Sequence, residues 1–131
     1  YLASLFSVLG YHVTLTPATG DFGGDLILKR DGEQILVQAK RWNSVVGVPA
    51  VQEAYTAKSY YKCDRCVVVT NNFFTKSARQ LAEPIKVALW DRNDLRTAIA
   101  DARSVQQHHG IVKGGITHRI KKLAGHKANW K

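Results

Sequence analysis

The sequence has no methionine, only two cysteines and three prolines in 131 residues, and no apolar run approaching the roughly 20 residues that a membrane-crossing helix needs. Two cysteines cannot build a disulfide framework, so a reducing, cytoplasmic setting is expected. A bilayer span is not expected. The opening YLASLFSVLG has no basic flank and no small-residue cleavage site, and it does not read as a signal peptide. Tyr1 stands where a Met start is expected, which implies a preceding stretch.

Acid is also missing from one region. Residues 102–131 contain seven Lys and Arg and not one Asp or Glu, so most of the net charge of +9 lies there. The body before it is nearly neutral. It can engage a polyanion only through placed residues, whereas the tail could act as a nonspecific arm on phosphates or simply be a solvated terminus. What is present fits one folded domain: 45% hydrophobic and 22% charged residues, read as a body over 1–102 and a basic tail over 103–131.

Leu2, Leu5, Phe6 and Leu9 recur at helical spacing, and Gly10 ends that helix. Tyr11 to Thr16 alternates as a strand that Pro17 stops. The loop ATGDFGG leads into DLILKR, and Asp31-Gly32 separates that run from EQILVQAK, a two-residue hairpin signal. After RWNSVVG, Pro49 suits a first helical turn, with a face through Val51, Ala54, Tyr55, Lys58 and Tyr61 to about residue 62. Arg65 to Thr70, with three consecutive valines, reads as a strand buried on both faces. Thr75 can cap a helix that Pro84 closes, Lys86 to Trp90 is another buried strand, and Asp91 with Asp94 can cap a helix to about Ala102. The fold class implied is α/β: a mixed central sheet of about five strands flanked by helices.

The hairpin permits a deduction about chemistry. With Asp31 and Gly32 as the loop, Arg30 pairs with Glu33, and continuing that register sets Asp25 directly opposite Gln38. A strand's period of two puts Lys40 on the same face, while Leu26, Leu28, Ile35, Val37 and Ala39 take the core side. A carboxylate, an amide oxygen and an ammonium at one end of a sheet suit metal-assisted phosphodiester hydrolysis. Asp25 would bind Mg²⁺, with Mn²⁺ as the alternative ion; Gln38 and the Ala39 carbonyl would add neutral oxygens. Lys40 would orient the attacking water and stabilise charge in the transition state. Gly20, Gly23 and Gly24 lack Cβ atoms and would let a phosphate approach the backbone.

Taken together, GDFGGD, QILVQAKR, VVGVPAVQE, CVVVTNNFFTKSARQLA and ALWDRNDL resemble the Mrr-type restriction endonuclease catalytic domain of the PD-(D/E)xK nuclease superfamily, from about Leu2 to Ile99. Asp25 matches that family's metal-binding aspartate and Lys40 its catalytic lysine. Gln38 falls where most of the superfamily has Glu and this branch typically has Gln. The resemblance implies a restriction-endonuclease-like fold and a Mg²⁺-dependent DNA endonuclease, commonly of the restriction and defence kind. Two alternatives stay open: a non-catalytic nucleic-acid-binding module on the same fold, and a repair or junction-resolving nuclease. Members of the group often carry a Glu in the first helix, at a position that here falls ahead of Tyr1, so that third carboxylate is not in view; Asp21, which sits in the glycine loop, is the weaker alternative within this sequence.

Around this centre, Arg41 and Trp42 could contact the DNA backbone or stack on a base, and Gln52 could face the site from its helix. Arg119, Lys121 and Lys122 are the tail's candidate phosphate contacts. Cleavage of both strands implies a homodimer, because one such site serves one strand at a time. Asp91 reads as a cap and Cys66 as the opening of a buried strand. The lone Cys63-x-x-Cys66 has no second pair, and His108, His109, His118 and His126 lack zinc-finger spacing relative to it.

Overall fold

A computed structural model describes residues 1–17 and 25–107. In chain order these form α1 (Leu2–Val8), β1 (His12–Leu15), β2 (Leu26–Arg30), β3 (Glu33–Lys40), α2 (Val48–Tyr60), β4 (Arg65–Thr70), α3 (Lys76–Ala82), β5 (Val87–Trp90) and α4 (Arg92–Gln107). One five-stranded sheet runs β1-β2-β3-β4-β5. Its first three strands are antiparallel to one another, and β3, β4 and β5 are parallel. The mixed α/β sandwich expected from the sequence is the architecture observed.

Local chemistry explains the element ends. Asp31 and Gly32 take φ values of 53° and 79°, as a hairpin turn with both central residues left-handed requires, and Arg30 pairs with Glu33. At the end of α1, Gly10 adopts φ 102°, its N–H donates to the Ser7 carbonyl, and the Tyr11 N–H donates to the Phe6 carbonyl. Thr75 Oγ1 accepts from the Ala78 N–H and caps α3. Asp91 caps α4 reciprocally: its Oδ1 accepts from the Asn93 and Asp94 N–H groups while Asp94 Oδ2 accepts from the Asp91 N–H.

Two apolar layers sandwich the sheet. Leu5, Phe6 and Leu9 of the α1 region and Ala98 and Ala102 of α4 pack on one face with Leu28, Val37, Val67, Val69 and Trp90. Ala50, Val51, Ala54 and Ala57 of α2 and Ala78 and Ala82 of α3 pack on the other with Leu36, Cys66 and Val68. Because Val67, Val68 and Val69 are all buried, β4 is covered on both sides. Burying each such side chain contributes roughly 1.5–3 kcal/mol before its entropy cost.

The structure departs from expectation in three places. The buried face of α2 is a small-residue stripe, whereas Tyr55 is exposed; alanines let the helix backbone approach the sheet where a tyrosine would hold it off. Ala39 is exposed and not a core residue: it faces an open groove that it lines with Leu2 and Ala3 of α1 and Leu95 of α4. Helix α4 continues past Ala102 to Gln107, so a division after residue 102 falls inside a helix; Ala102 itself is a core residue.

Candidate active site

The hairpin register pairs Leu26 with Val37, and the same register carried one residue beyond the paired strand would set Asp25 against Gln38. The backbone of Asp25 is clamped by Thr16. The Thr16 N–H donates to the Asp25 carbonyl at 2.8 Å, Thr16 Oγ1 donates to the same oxygen at 3.2 Å, and the Asp25 N–H donates to Thr16 Oγ1 at 2.7 Å. Every main-chain group of Asp25 is thereby engaged with protein, and its carboxylate is left for other work. Gln38 and Lys40 follow on β3, where pairing with Val68 and Thr70 of β4 fixes them.

Asp25 and Gln38 are only 3% and 4% exposed, an unusual burial for such residues. Among the described residues, Asp25 Oδ2 and Gln38 Oε1 are buried without a hydrogen-bond partner. Uncompensated burial of a polar oxygen costs about 1–3 kcal/mol, so two such acceptors at one strand end are costly unless something occupies them. Burial pushes the Asp25 carboxyl up from its ordinary 3.8 to about 6; the Lys40 ammonium opposes the rise and the Glu53 carboxylate adds to it.

Glu53, on α2, is a residue that the sequence pattern does not single out. Its Oε2 accepts from Lys40 Nζ at 2.7 Å and from Gln38 Nε2 at 3.2 Å. Lys40 Nζ also lies 5.2 Å from the centre of the Trp42 ring, so the ammonium is held between a carboxylate and an indole face. Gln52, the neighbour expected to face the site, is exposed on the adjoining flank of the helix. The signal available was spacing: Glu53 stands three residues after Ala50 and four before Ala57, beside the alanine stripe that meets the sheet.

Ala39 points to the opposite face and, with Arg41, Tyr1, Leu15 and Leu95, lines a groove of about 760 Å³. Trp42 is exposed, and its main chain is tied to the turn after β4: the Trp42 N–H donates to Asn71 Oδ1 at 3.1 Å and Asn72 Nδ2 donates to the Trp42 carbonyl at 3.4 Å. Gly20, Asp21, Gly23, Gly24, the four late histidines, Arg119, Lys121 and Lys122 lie outside the described residues. Cys63 and Cys66 are free and buried; burial pushes the Cys66 thiol to about 11 and raises Cys63 as well, which disfavours the thiolate that a zinc ligand must be. Among the described residues no cluster of three or more His, Cys, Asp or Glu could hold a metal ion. Among the described residues, a cation at this site would meet one carboxylate beside neutral oxygens, a set that suits a hard ion keeping several waters.

Residues 1–99 match the restriction endonuclease family model of the Mrr catalytic domain. The methyl-directed type IV restriction enzyme EcoKMrr of Escherichia coli (strain K12) is 39% identical over 71 residues, which are 52% of this chain and 23% of that enzyme. Two solved structures share the fold over 95% of this chain. The DNA modification-dependent restriction endonuclease AspBHI does so with a TM-score of 0.59 at 17% identity, over 34% of its own chain. AF1548, a protein of unknown function, does so with a TM-score of 0.57 at 13% identity, over 95% of its chain.

Proposed function

We propose that this chain, which belongs to the Mrr-type restriction endonuclease family over residues 1–99, is a Mg²⁺-dependent DNA endonuclease of the restriction and defence kind. The observation that carries the reading is the pair of buried oxygens, Asp25 Oδ2 and Gln38 Oε1, that have no partner among the described residues and lie at the strand end beside Lys40. That donor set fits a hard divalent cation: one carboxylate and one amide oxygen, with the Ala39 carbonyl available on the intervening residue. When bound, such a cation would polarise the scissile phosphate and acidify the attacking water.

The chain's own groups supply the rest. Lys40 has three N–H donors and gives one to Glu53, leaving two for a water nucleophile and a non-bridging phosphate oxygen. Trp42 borders this centre, where an indole face can stack, and Arg41, in the groove beside Lys40, offers a guanidinium to the DNA backbone. Double-strand cleavage would be the work of a homodimer, acting on DNA in the cytoplasm. Among the described residues no helix is long and apolar enough to cross a membrane.

The test is cleavage of plasmid, methylated and four-way DNA with Mg²⁺ or Mn²⁺. Cleavage that disappears in Asp25→Ala and Lys40→Ala, with the folded circular dichroism spectrum retained, supports the reading. Intact substrates under every condition would overturn it. Salt-sensitive binding without cleavage, unaffected by Asp25→Ala, would instead favour the non-catalytic DNA-binding reading that the acid-free stretch after residue 102 suggests.

A further inference from the structure

An amide side chain presents an acceptor on one side and two donors on the other, and only its neighbours decide which way it faces. A carboxylate accepts and cannot donate. Glu53 Oε2, 3.2 Å from the Gln38 amide, therefore admits only the NH₂ side, which turns Oε1 the other way into buried space where it has no partner among the described residues. The same Glu53 oxygen takes the Lys40 ammonium at 2.7 Å, so a single atom on α2 fixes both functional side chains of β3. Glu53 itself is about half exposed, with 43% of its side-chain surface accessible.

We propose that Glu53 is a positioning residue of the site: it locks the Gln38 amide with Oε1 presented to the cation position beside Asp25, and it holds Lys40 in reach of the substrate. This inference rests on the nuclease reading above. It gives a reason for glutamine at position 38. A glutamate there would set two carboxylates in contact, so the polarity of the pair is reversible only if both members change together. Glutamine on the strand and glutamate on the helix keep one negative charge between them, with a donor facing an acceptor.

The test is Mn²⁺ binding to the full chain by calorimetry, with electron paramagnetic resonance as a second readout, in the wild type, Asp25→Ala, Glu53→Gln, Glu53→Ala and the double variant Gln38→Glu/Glu53→Gln. Glu53→Gln is nearly isosteric at a half-exposed position, and thermal melts check that each variant folds. Glu53→Gln and Glu53→Ala are expected to weaken Mn²⁺ binding by roughly tenfold or more, the usual effect of losing a group that orients a metal ligand. The double variant exchanges the two groups, so that an amide on the helix can donate to a carboxylate on the strand, and it is expected to return close to the wild-type affinity. Wild-type binding in both single Glu53 variants, with binding lost in Asp25→Ala, would overturn this proposal and leave the nuclease reading standing. A double variant as weak as Glu53→Gln would also overturn it. Absence of Mn²⁺ binding in the wild type itself would remove the nuclease reading and this inference with it.

Discussion

Asp25 concentrates the cost of the site in one carboxyl group. Its folded-state pKa of about 6 stands above the ordinary 3.8, so the folded protein keeps a proton that the unfolded chain releases between those values. The contribution of this group to stability is therefore greatest below about pH 4 and is lost as the pH rises through 6, by up to about 3 kcal/mol from a shift of this size. Asp25→Asn is expected to remove that slope from the cation-free protein and to raise the melting temperature at pH 8 while ending cleavage; denaturant unfolding at pH 5 and pH 8 measures the difference. An unchanged slope would mean that Asp25 is not the group responsible. The meeting of Asp25, Gln38 and Lys40 is legible in the sequence, because a two-residue hairpin fixes register and a strand's period of two fixes faces. Glu53 is not legible there. Its position against Gln38 and Lys40 depends on how α2 is rotated about its own axis, and the tyrosines in that helix suggest a different buried face from the alanines that actually meet the sheet.

The elements are ended by specific backbone devices, and one of them is imperfect. At the close of α2 the Lys62 N–H donates to the Ser59 carbonyl and the Cys63 N–H to the Lys58 carbonyl, the same arrangement that ends α1 at Gly10. Here, however, the left-handed residue is Lys62, at φ 57°, which carries a Cβ. Lys62→Gly is expected to relieve that strain and stabilise the protein by about 0.5–1 kcal/mol, net of the entropy glycine gains in the unfolded chain. Chemical denaturation would show it as a raised midpoint with unchanged slope, and a lowered midpoint would refute it. Hairpin, caps and Pro84 are all readable from short-range chemistry, since each is satisfied within a few residues of chain. The last turn of α4 is not. No breaker follows Ala102, and the fading of apolar periodicity after Arg103 marks where the helix leaves the core, not where it ends.

For the molecule as a whole, α4 runs through Ala102 to Gln107, so a cut that removes most of the acid-free stretch without entering the described helix falls after Gln107. Truncation after Gln107 keeps every described residue of both cores. It is expected to leave the melting temperature unchanged while weakening DNA binding and flattening its dependence on salt, by roughly one unit of slope for each phosphate no longer engaged. Truncation after Ala102 removes the end of a helix whose Ala98 and Ala102 pack on the sheet, and is expected to lower the melting temperature. Equal melting temperatures for the two truncations would show that residues 103–107 add nothing to the fold. The sequence by itself determined the order of elements, the hairpin register and the meeting of Asp25, Gln38 and Lys40, because these follow from periodicity and turn chemistry over short separations. Only the tertiary structure decided that α2 brings Glu53 to Gln38 and Lys40, and that two oxygens are buried without partners among the described residues. Those facts arise where separate helices and strands pack together, and the depth and rotation of that packing come from the shapes of many side chains at once.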